Sequence, residues 1–271
     1  MTQLEKATAF RALHERPGAF VIPNPWDAGS ARLLAGLGFE ALATTSSGAA
    51  FSYGSRDTQM TRNQALASAS AIVAATPLPV SADLEKCFGD DPETVAETIR
   101  MAAEVGLVGG SVEDATARPD DPIYPFDQAV ERVRAAVEAA RSLPFPFTLT
   151  ARAENFLHGR RDLDDTIRRL QAFDVAGADV LYAPGLRTIE DIRTLCAVVS
   201  KPVNVLAVPG FTINQLAEVG VRRVSVGGAL ARVAFGALLG AARELREEGT
   251  FGWLEGTASF GELYTQIEGR H

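Results

Sequence analysis

Short β-branched and apolar runs alternate along the chain with longer amphipathic stretches rich in Ala, Leu, Arg and Glu. The apolar runs predict eight strands, at 19–22, 41–44, 79–82, 109–112, 147–151, 179–182, 202–206 and 223–226. Between them the helical period predicts helices over 61–75, 91–105, 126–142, 163–176, 188–199 and 212–219. Gly38, Gly106, Gly177 and Gly220 fall where a left-handed residue would end a helix ahead of the next strand. Eight strand–helix units predict an α/β chain folded as a parallel (β/α)8 TIM-type barrel. A doubly wound sheet would need a glycine-rich phosphate turn after its first strand, whereas the chain there reads Pro23-Asn24-Pro25-Trp26-Asp27. The last unit departs from the plan. Residues 228–247 read as one long helix containing Gly236 and Gly240, followed by a glycine-punctuated tail with Trp253 and Phe260. The expectation is one barrel domain over 1–271, with 228–271 as a last helix and tail that either folds back on its own chain or packs on a partner subunit.

Composition and charge remove several classes of function. The 271 residues are 46% hydrophobic and carry 26 Lys+Arg against 34 Asp+Glu, a net charge of −8 that repels phosphate backbones and argues against a nucleic-acid partner. No apolar run reaches the length of a membrane span, and charges interrupt the first residues where a secretory leader would need an unbroken apolar stretch. A cytoplasmic protein without a membrane partner is expected. Cys87 and Cys196 are too few and too scattered for a disulfide framework or a thiolate zinc site.

In a parallel barrel the chemistry lies at the C-terminal ends of the strands, and the residues there are polar and acidic. Asn24 and Asp27 follow the first strand, Thr45, Ser46, Ser47 and Gly48 the second, Asp83 and Glu85 the third, Glu113 and Asp114 the fourth, Arg152 and Glu154 the fifth, and Asn204 belongs to the seventh. Asp83 and Glu85, two residues apart in extended backbone, point the same way, and Glu113 on the next strand can join them. Three converging carboxylates repel one another unless a cation sits among them. The three histidines, at 14, 158 and 271, have no metal-ligand spacing, so a hard, oxygen-liganded Mg2+ is favoured over zinc. Arg152 would offer a planar fork of donors to a substrate carboxylate, or alternatively an ion pair to Glu154 or Glu113.

Several segments together resemble the isocitrate lyase and phosphoenolpyruvate mutase superfamily over nearly the whole chain. They are Asn24-Pro-Trp-Asp-Ala-Gly-Ser-Ala-Arg, the Thr44-Thr-Ser-Ser-Gly turn with Asp57 after Tyr53-Gly-Ser-Arg, the Ser81-Ala-Asp-Leu-Glu loop, Ser111-Val-Glu-Asp, Thr150-Ala-Arg and Pro202-Val-Asn. The resemblance implies a modified barrel whose eighth helix swaps between subunits of a homodimer or homotetramer. It also implies a Mg2+ cofactor and a small 2-oxo or 2-hydroxy carboxylate substrate. Carried over, Asp83, Glu85 and Glu113 look like the metal shell, directly or through water, with Asp57 close by as a catalytic group. Thr45, Ser47 and the Gly48 and Ala49 amides look like substrate contacts that clamp the carboxylate. Arg152 is similar to the family's substrate arginine, Asp83 also faces substrate, and Asn204 matches a position near the substrate's distal end. The implied reaction cleaves a carbon–carbon bond beside the carboxylate through an enolate-type intermediate.

The chain also departs from that pattern. Isocitrate lyases carry a Lys-Lys-Cys-Gly-His loop after the strand corresponding to Glu113, whereas this chain reads Ala115-Thr-Ala-Arg-Pro-Asp-Asp-Pro-Ile-Tyr-Pro, without the acid cysteine; Cys87, one loop earlier, is not its equivalent. Efficient cleavage of isocitrate itself is therefore not expected. Tyr124, Arg118 and His158 are available proton donors, and residues 118–125 read as a lid. Three alternatives stand beside the lyase reading: carbon–phosphorus chemistry on phosphonopyruvate, a Schiff-base aldolase using Lys86, and a 2-oxo-acid-binding protein with little turnover.

Overall fold

In the computed structural model, which describes residues 1–269, eight parallel strands form the expected barrel. They are β1 (Phe20–Ile22), β2 (Leu42–Ala43), β3 (Val80–Asp83), β4 (Gly109–Glu113), β5 (Thr148–Arg152), β6 (Val180–Tyr182), β7 (Val203–Leu206) and β8 (Val221–Ser225), paired in the order β1-β8-β7-β6-β5-β4-β3-β2. The seam between β1 and β2 is closed differently. Ala43 N–H donates to the Pro23 carbonyl at 3.1 Å, and buried Asn24 spans three strand ends: its amide donates to Thr44 O at 3.1 Å while its Oδ1 accepts from Val226 and Gly227 N–H at 2.9 Å each.

The helices are α1 (Gln3–Glu15), α2 (Ala28–Gly36), α3 (Ser46–Ser52), α4 (Arg62–Ala75), α5 (Pro92–Glu104), α6 (Phe126–Arg141), α7 (Leu163–Ala176), α8 (Ile189–Val198), α9 (Ile213–Glu218), α10 (Ala229–Glu247) and α11 (Phe260–Glu268). Of these, α1, α2, α3 and α11 lie outside the helices expected from periodicity, and β8 begins two residues early. Caps explain the first two. Thr2 and Glu5 form a reciprocal capping box on α1, and Asp27 and Ser30 form another on α2, each satisfying N–H groups that the helix cannot. Between strands and helices, residues such as Leu42, Ile72, Ile99, Leu149 and Phe173 fill the main core.

Helix α1 plugs the N-terminal end of the barrel with Ala7, Phe10 and Leu13 against Phe20, Ile22 and Val108. Its His14 is buried between the rings of Phe10 and Phe20, with Nδ1 2.9 Å from Phe10 O and Nε2 3.3 Å from Arg223 Nη1. Burial first, and then the Arg223 charge, push the imidazole down to about 3 from 6.5, so it stays neutral in the fold. As pH falls below 6.5 the unfolded chain takes up the proton first, so stability is lost from there down towards about 3. Unfolding free energies from urea titrations between pH 7 and pH 4 should therefore fall less steeply for His14→Gln, by up to about 1.4 kcal/mol per pH unit. Parallel slopes would contradict this account.

Helix α10 is the anomaly of the fold. It buries only Ala231, while Val233, Leu238, Leu239 and Leu245 stand exposed along it. The tail returns to its own chain, where α11 crosses α2 so closely that a Cβ on Gly36 would collide with the Gln266 carbonyl. Arg270 and His271, the end of the expected tail, lie outside the described residues. Among the described residues no helix is long and apolar enough to cross a membrane.

Candidate active site

The strand register assembles the site. Glu113 pairs with Arg152, Arg152 with Tyr182, and Tyr182 with Asn204 across β4 to β7, all at the C-terminal rim where the strand ends open into loops. Arg152 is gripped by three carboxylates: Nη1 donates to Asp83 Oδ1 at 2.7 Å, Nε donates to Glu154 Oε1 at 2.8 Å, and Nη2 lies 3.1 Å from Glu113 Oε2. Its guanidinium carbon also sits 5.3 Å from the centroid of the Tyr182 ring. Burial alone would lower the pKa of Arg152, but the charges of Glu154, Glu113 and Asp83 hold it well above the usual arginine value. The substrate and ion-pair readings of Arg152 thus describe one side chain, because it lines the cavity while bonded to the acids.

The acids outnumber that single cation. Glu85, in a left-handed turn at φ 50° and nearly buried, is pushed up to about 8 by burial and by the charges of Asp83 and Asp57. Glu113 is raised well above the carboxylate range, by burial and by Glu154, Asp83 and Glu85, against the pull of Arg152. Asp57, on the exposed rim, is raised by partial desolvation and by Asp83, while a hydrogen bond with the Ser46 side chain works the other way. Among the described residues no three His, Cys, Asp or Glu side chains form a ready cage for a metal. The excess carboxylate charge instead fits an ion that takes one or two carboxylates and keeps its waters, as Mg2+ does.

Helix α3 brings the expected carboxylate clamp to the same rim. Ser46 N–H donates to Asp83 Oδ2 at 3.3 Å, and the Thr45 and Ser47 hydroxyls lie 3.2 Å apart. The Gly48 and Ala49 amides are spent on their own helix, donating to Thr45 Oγ1 at 3.4 Å and Thr45 O at 3.0 Å. Gly48 is needed for close approach: a Cβ there would lie 2.7 Å from Thr45 Cγ2 and 2.9 Å from Trp26 Cβ.

Below the rim lies a cavity of about 180 Å³, the size of a small organic acid and far too small for a nucleotide. Its walls include Thr45, Ser47, Asp57, Asp83, Arg152 and Asn204. Asn204 is buried, donating to Ser225 Oγ at 3.0 Å and accepting from Arg223 Nε at 2.9 Å. Two wall residues not expected from the sequence, Tyr182 and Arg223, bear titratable groups. Tyr182 closes β6, and burial pushes its phenol up to about 12, so it keeps its proton at neutral pH; Arg223 comes from β8. The signal for Tyr182 is its place at the end of the expected strand 179–182.

The donors expected from sequence lie elsewhere. Tyr124 OH and Arg118 Nη1 both donate to Asp90, at 2.5 and 2.8 Å, and His158 does not line the cavity. Lys86 is paired with the same Asp90 at 2.7 Å, so the Schiff-base reading loses its lysine. Cys87 is fully buried and burial pushes its thiol up to about 12, which makes it inert. Asp90 therefore ties the loop after β3 to the expected lid, which is folded as a small hairpin with Thr116 N–H donating to Pro122 O at 2.9 Å. Asp90→Asn should release this hairpin and speed cleavage within 118–125 in limited proteolysis by roughly tenfold. An unchanged rate would mean that the three Asp90 contacts do not hold the loop.

Comparison with known proteins gives the family and agrees with the barrel fold. The profile of the family described as phosphoenolpyruvate phosphomutase matches residues 10–246. A Burkholderia cenocepacia structure, described as a lyase/mutase without further assignment, superposes with TM-score 0.94 at 60% identity over 97% of this chain and 95% of that one. The 2-methylisocitrate lyase of Salmonella typhimurium is 30% identical over 89% of this chain and 85% of its own length. An oxaloacetate acetylhydrolase in complex with the product oxalate superposes with TM-score 0.87 at 26% identity, covering 97% and 94% of the two chains.

Proposed function

The chain belongs to the phosphoenolpyruvate phosphomutase family, within a superfamily of lyases and mutases, and on that premise we propose that it is a Mg2+-dependent lyase. Its reaction cleaves the bond between the hydroxyl carbon and its neighbour in a small 2-hydroxy carboxylate, leaving a 2-oxo acid and a carbanion, or the bond one carbon further out in a 2-oxo carboxylate, leaving an enolate. The observation that carries this reading is one guanidinium held by three carboxylates at the mouth of a cavity of about 180 Å³.

Asp83 would hold the ion with Asp57, Glu85 and Glu113 around it, directly or through water. When bound, Mg2+ supplies a Lewis acid for the carbonyl and carboxylate oxygens of the substrate. The remaining work falls to the chain. The Thr45 and Ser47 hydroxyls orient the substrate carboxylate at the start of α3. Asp57, hydrogen-bonded with Ser46 at the rim, is positioned to accept the proton of a 2-hydroxyl group. Arg152, its fork already fixed, stabilises the oxyanion that develops as the bond breaks, with no reorganisation needed at that moment. Tyr182, which keeps its proton, is the hydroxyl available to protonate the departing carbanion.

The same reading makes the protein a cytoplasmic homodimer or homotetramer, with the exposed apolar side of α10 seated on the partner; light scattering on the eluting peak would find at least twice the 28.8 kDa chain mass. The deciding experiment is a turnover screen of 2-oxo and 2-hydroxy di- and tricarboxylates and phosphonopyruvate, with Mg2+ or EDTA. Metal-dependent cleavage of a carboxylate supports the lyase. Turnover of phosphonopyruvate alone would replace it with carbon–phosphorus chemistry, and thermal stabilisation without turnover with a binding protein.

A further inference from the structure

The floor of the cavity carries a second arginine in the opposite electrostatic situation from Arg152. Arg223 is 6% exposed, and its contacts are three neutral acceptors: Nε donates to Asn204 Oδ1 at 2.9 Å, Nη2 to Thr150 Oγ1 at 2.9 Å, and Nη1 to His14 Nε2 at 3.3 Å. His14 is the neutral tautomer that accepts there, because its Nδ1 lies against a backbone carbonyl. Among the described residues no carboxylate lies within ion-pair distance of Arg223, whereas Arg152 has three. A guanidinium has five donors, so two N–H groups of Arg223 are left over.

A buried charge of this kind is costly unless something pairs with it. Of the other buried arginines, Arg169 pairs with Asp114 and Asp165, whereas Arg132, also without a carboxylate, caps the Gly89 and Lys86 carbonyls with its guanidinium over the Tyr124 ring, away from the cavity. Arg223 differs because it lines the cavity itself. Its Nη2 donates to Thr150, two residues before Arg152 on β5, and both arginines line the one cavity. A small acid held at the rim by one carboxylate therefore has a second cation within the same walls.

We propose that Arg223 determines substrate specificity by taking the second carboxylate of a 2-oxo or 2-hydroxy dicarboxylate whose first carboxylate lies at the rim. This deepens the lyase reading and rests on it. Asn204 and Thr150 hold the fork in place, and an anion at the floor supplies the missing counter-charge in a bidentate geometry that a neutral group cannot match.

The test is equilibrium binding, in the presence of Mg2+, of malate, its 4-carboxamide and lactate. The wild-type protein should bind malate at least about tenfold more tightly than either of the others, because only malate brings a second anion to the floor. Arg223→Gln should abolish that preference while leaving lactate affinity within about threefold, and Arg223→Lys should restore part of it. Equal wild-type affinity for malate and its 4-carboxamide would overturn the proposal even if Arg223→Gln does not fold, as would a preference that survives in Arg223→Gln. Lactate binding that persists in either case would leave the parent reading standing. Wild-type protein that binds none of the three with Mg2+, and cleaves no 2-oxo acid, would remove both.

Discussion

Arg152→Met is expected to lose turnover by at least about a thousandfold, from the loss of a preorganised charge facing the developing oxyanion. It should also lower folding stability by about 3–5 kcal/mol, the usual consequence of removing one partner from a buried ion pair. Both effects have the same origin. Asp83, Glu113 and Glu154 converge on this guanidinium, and without it three carboxylates face one another in a partly dry pocket. Arg152→Lys separates the two effects. An ammonium keeps the charge but not the planar fork that reaches all three acids, so stability should recover in part while turnover stays low. Steady-state rates and urea midpoints on the two variants check this; Arg152→Met with turnover within tenfold of wild type would remove Arg152 from the mechanism.

Stripping the protein of divalent cations is expected to abolish turnover, and adding Mg2+ back at pH 7 should release at least about one proton per chain. The sign follows from the carboxyls. In the metal-free protein burial and the charges of Asp83 and Asp57 push Glu85 up to about 8, so at pH 7 a proton sits on it. A cation entering among these groups favours their ionised forms and expels that proton. Calorimetric titrations in buffers of different ionisation enthalpy count the protons released, and the number should decline as pH rises through about 8. Glu85→Gln should release fewer, and Asp83→Asn should weaken the binding itself. Mg2+ binding without proton exchange at pH 7 would contradict the raised carboxyls, and turnover that survives EDTA would contradict the need for the ion.

Much of the architecture is encoded in short-range pattern. Strand runs and helical faces are local properties, set by alternation and by the 3.6-residue period, so eight units could be counted from the chain and all eight strands lie within two residues of the expected bounds. Polar residues just after apolar strand runs marked Asp83, Glu113 and Arg152 as rim residues for the same reason. The helices that periodicity missed depend on other signals. The spacing of Thr2 to Glu5 is itself a capping signature, while the helix it starts has too weak an apolar face to stand out by period. Helix α3 hides in Thr45-Ser46-Ser47-Gly48, which reads locally as a turn.

The fold class, the number of units and the residues at the strand ends are legible along the chain, because each depends on neighbours a few positions apart. Which side chains share one cavity and which charges meet depends on the closed barrel. Arg222 and Arg223 are adjacent in the chain. Pairing with β7, with its register shift at Val203/Asn204, points Arg223 inward to Asn204, Thr150 and His14, and leaves Arg222 outside, 3.5 Å from Gly18 O. A slip of one residue would exchange them, since side chains alternate between the faces of a strand. That choice belongs to the closed barrel, where partners 19, 73 and 209 residues away in the chain meet around one guanidinium.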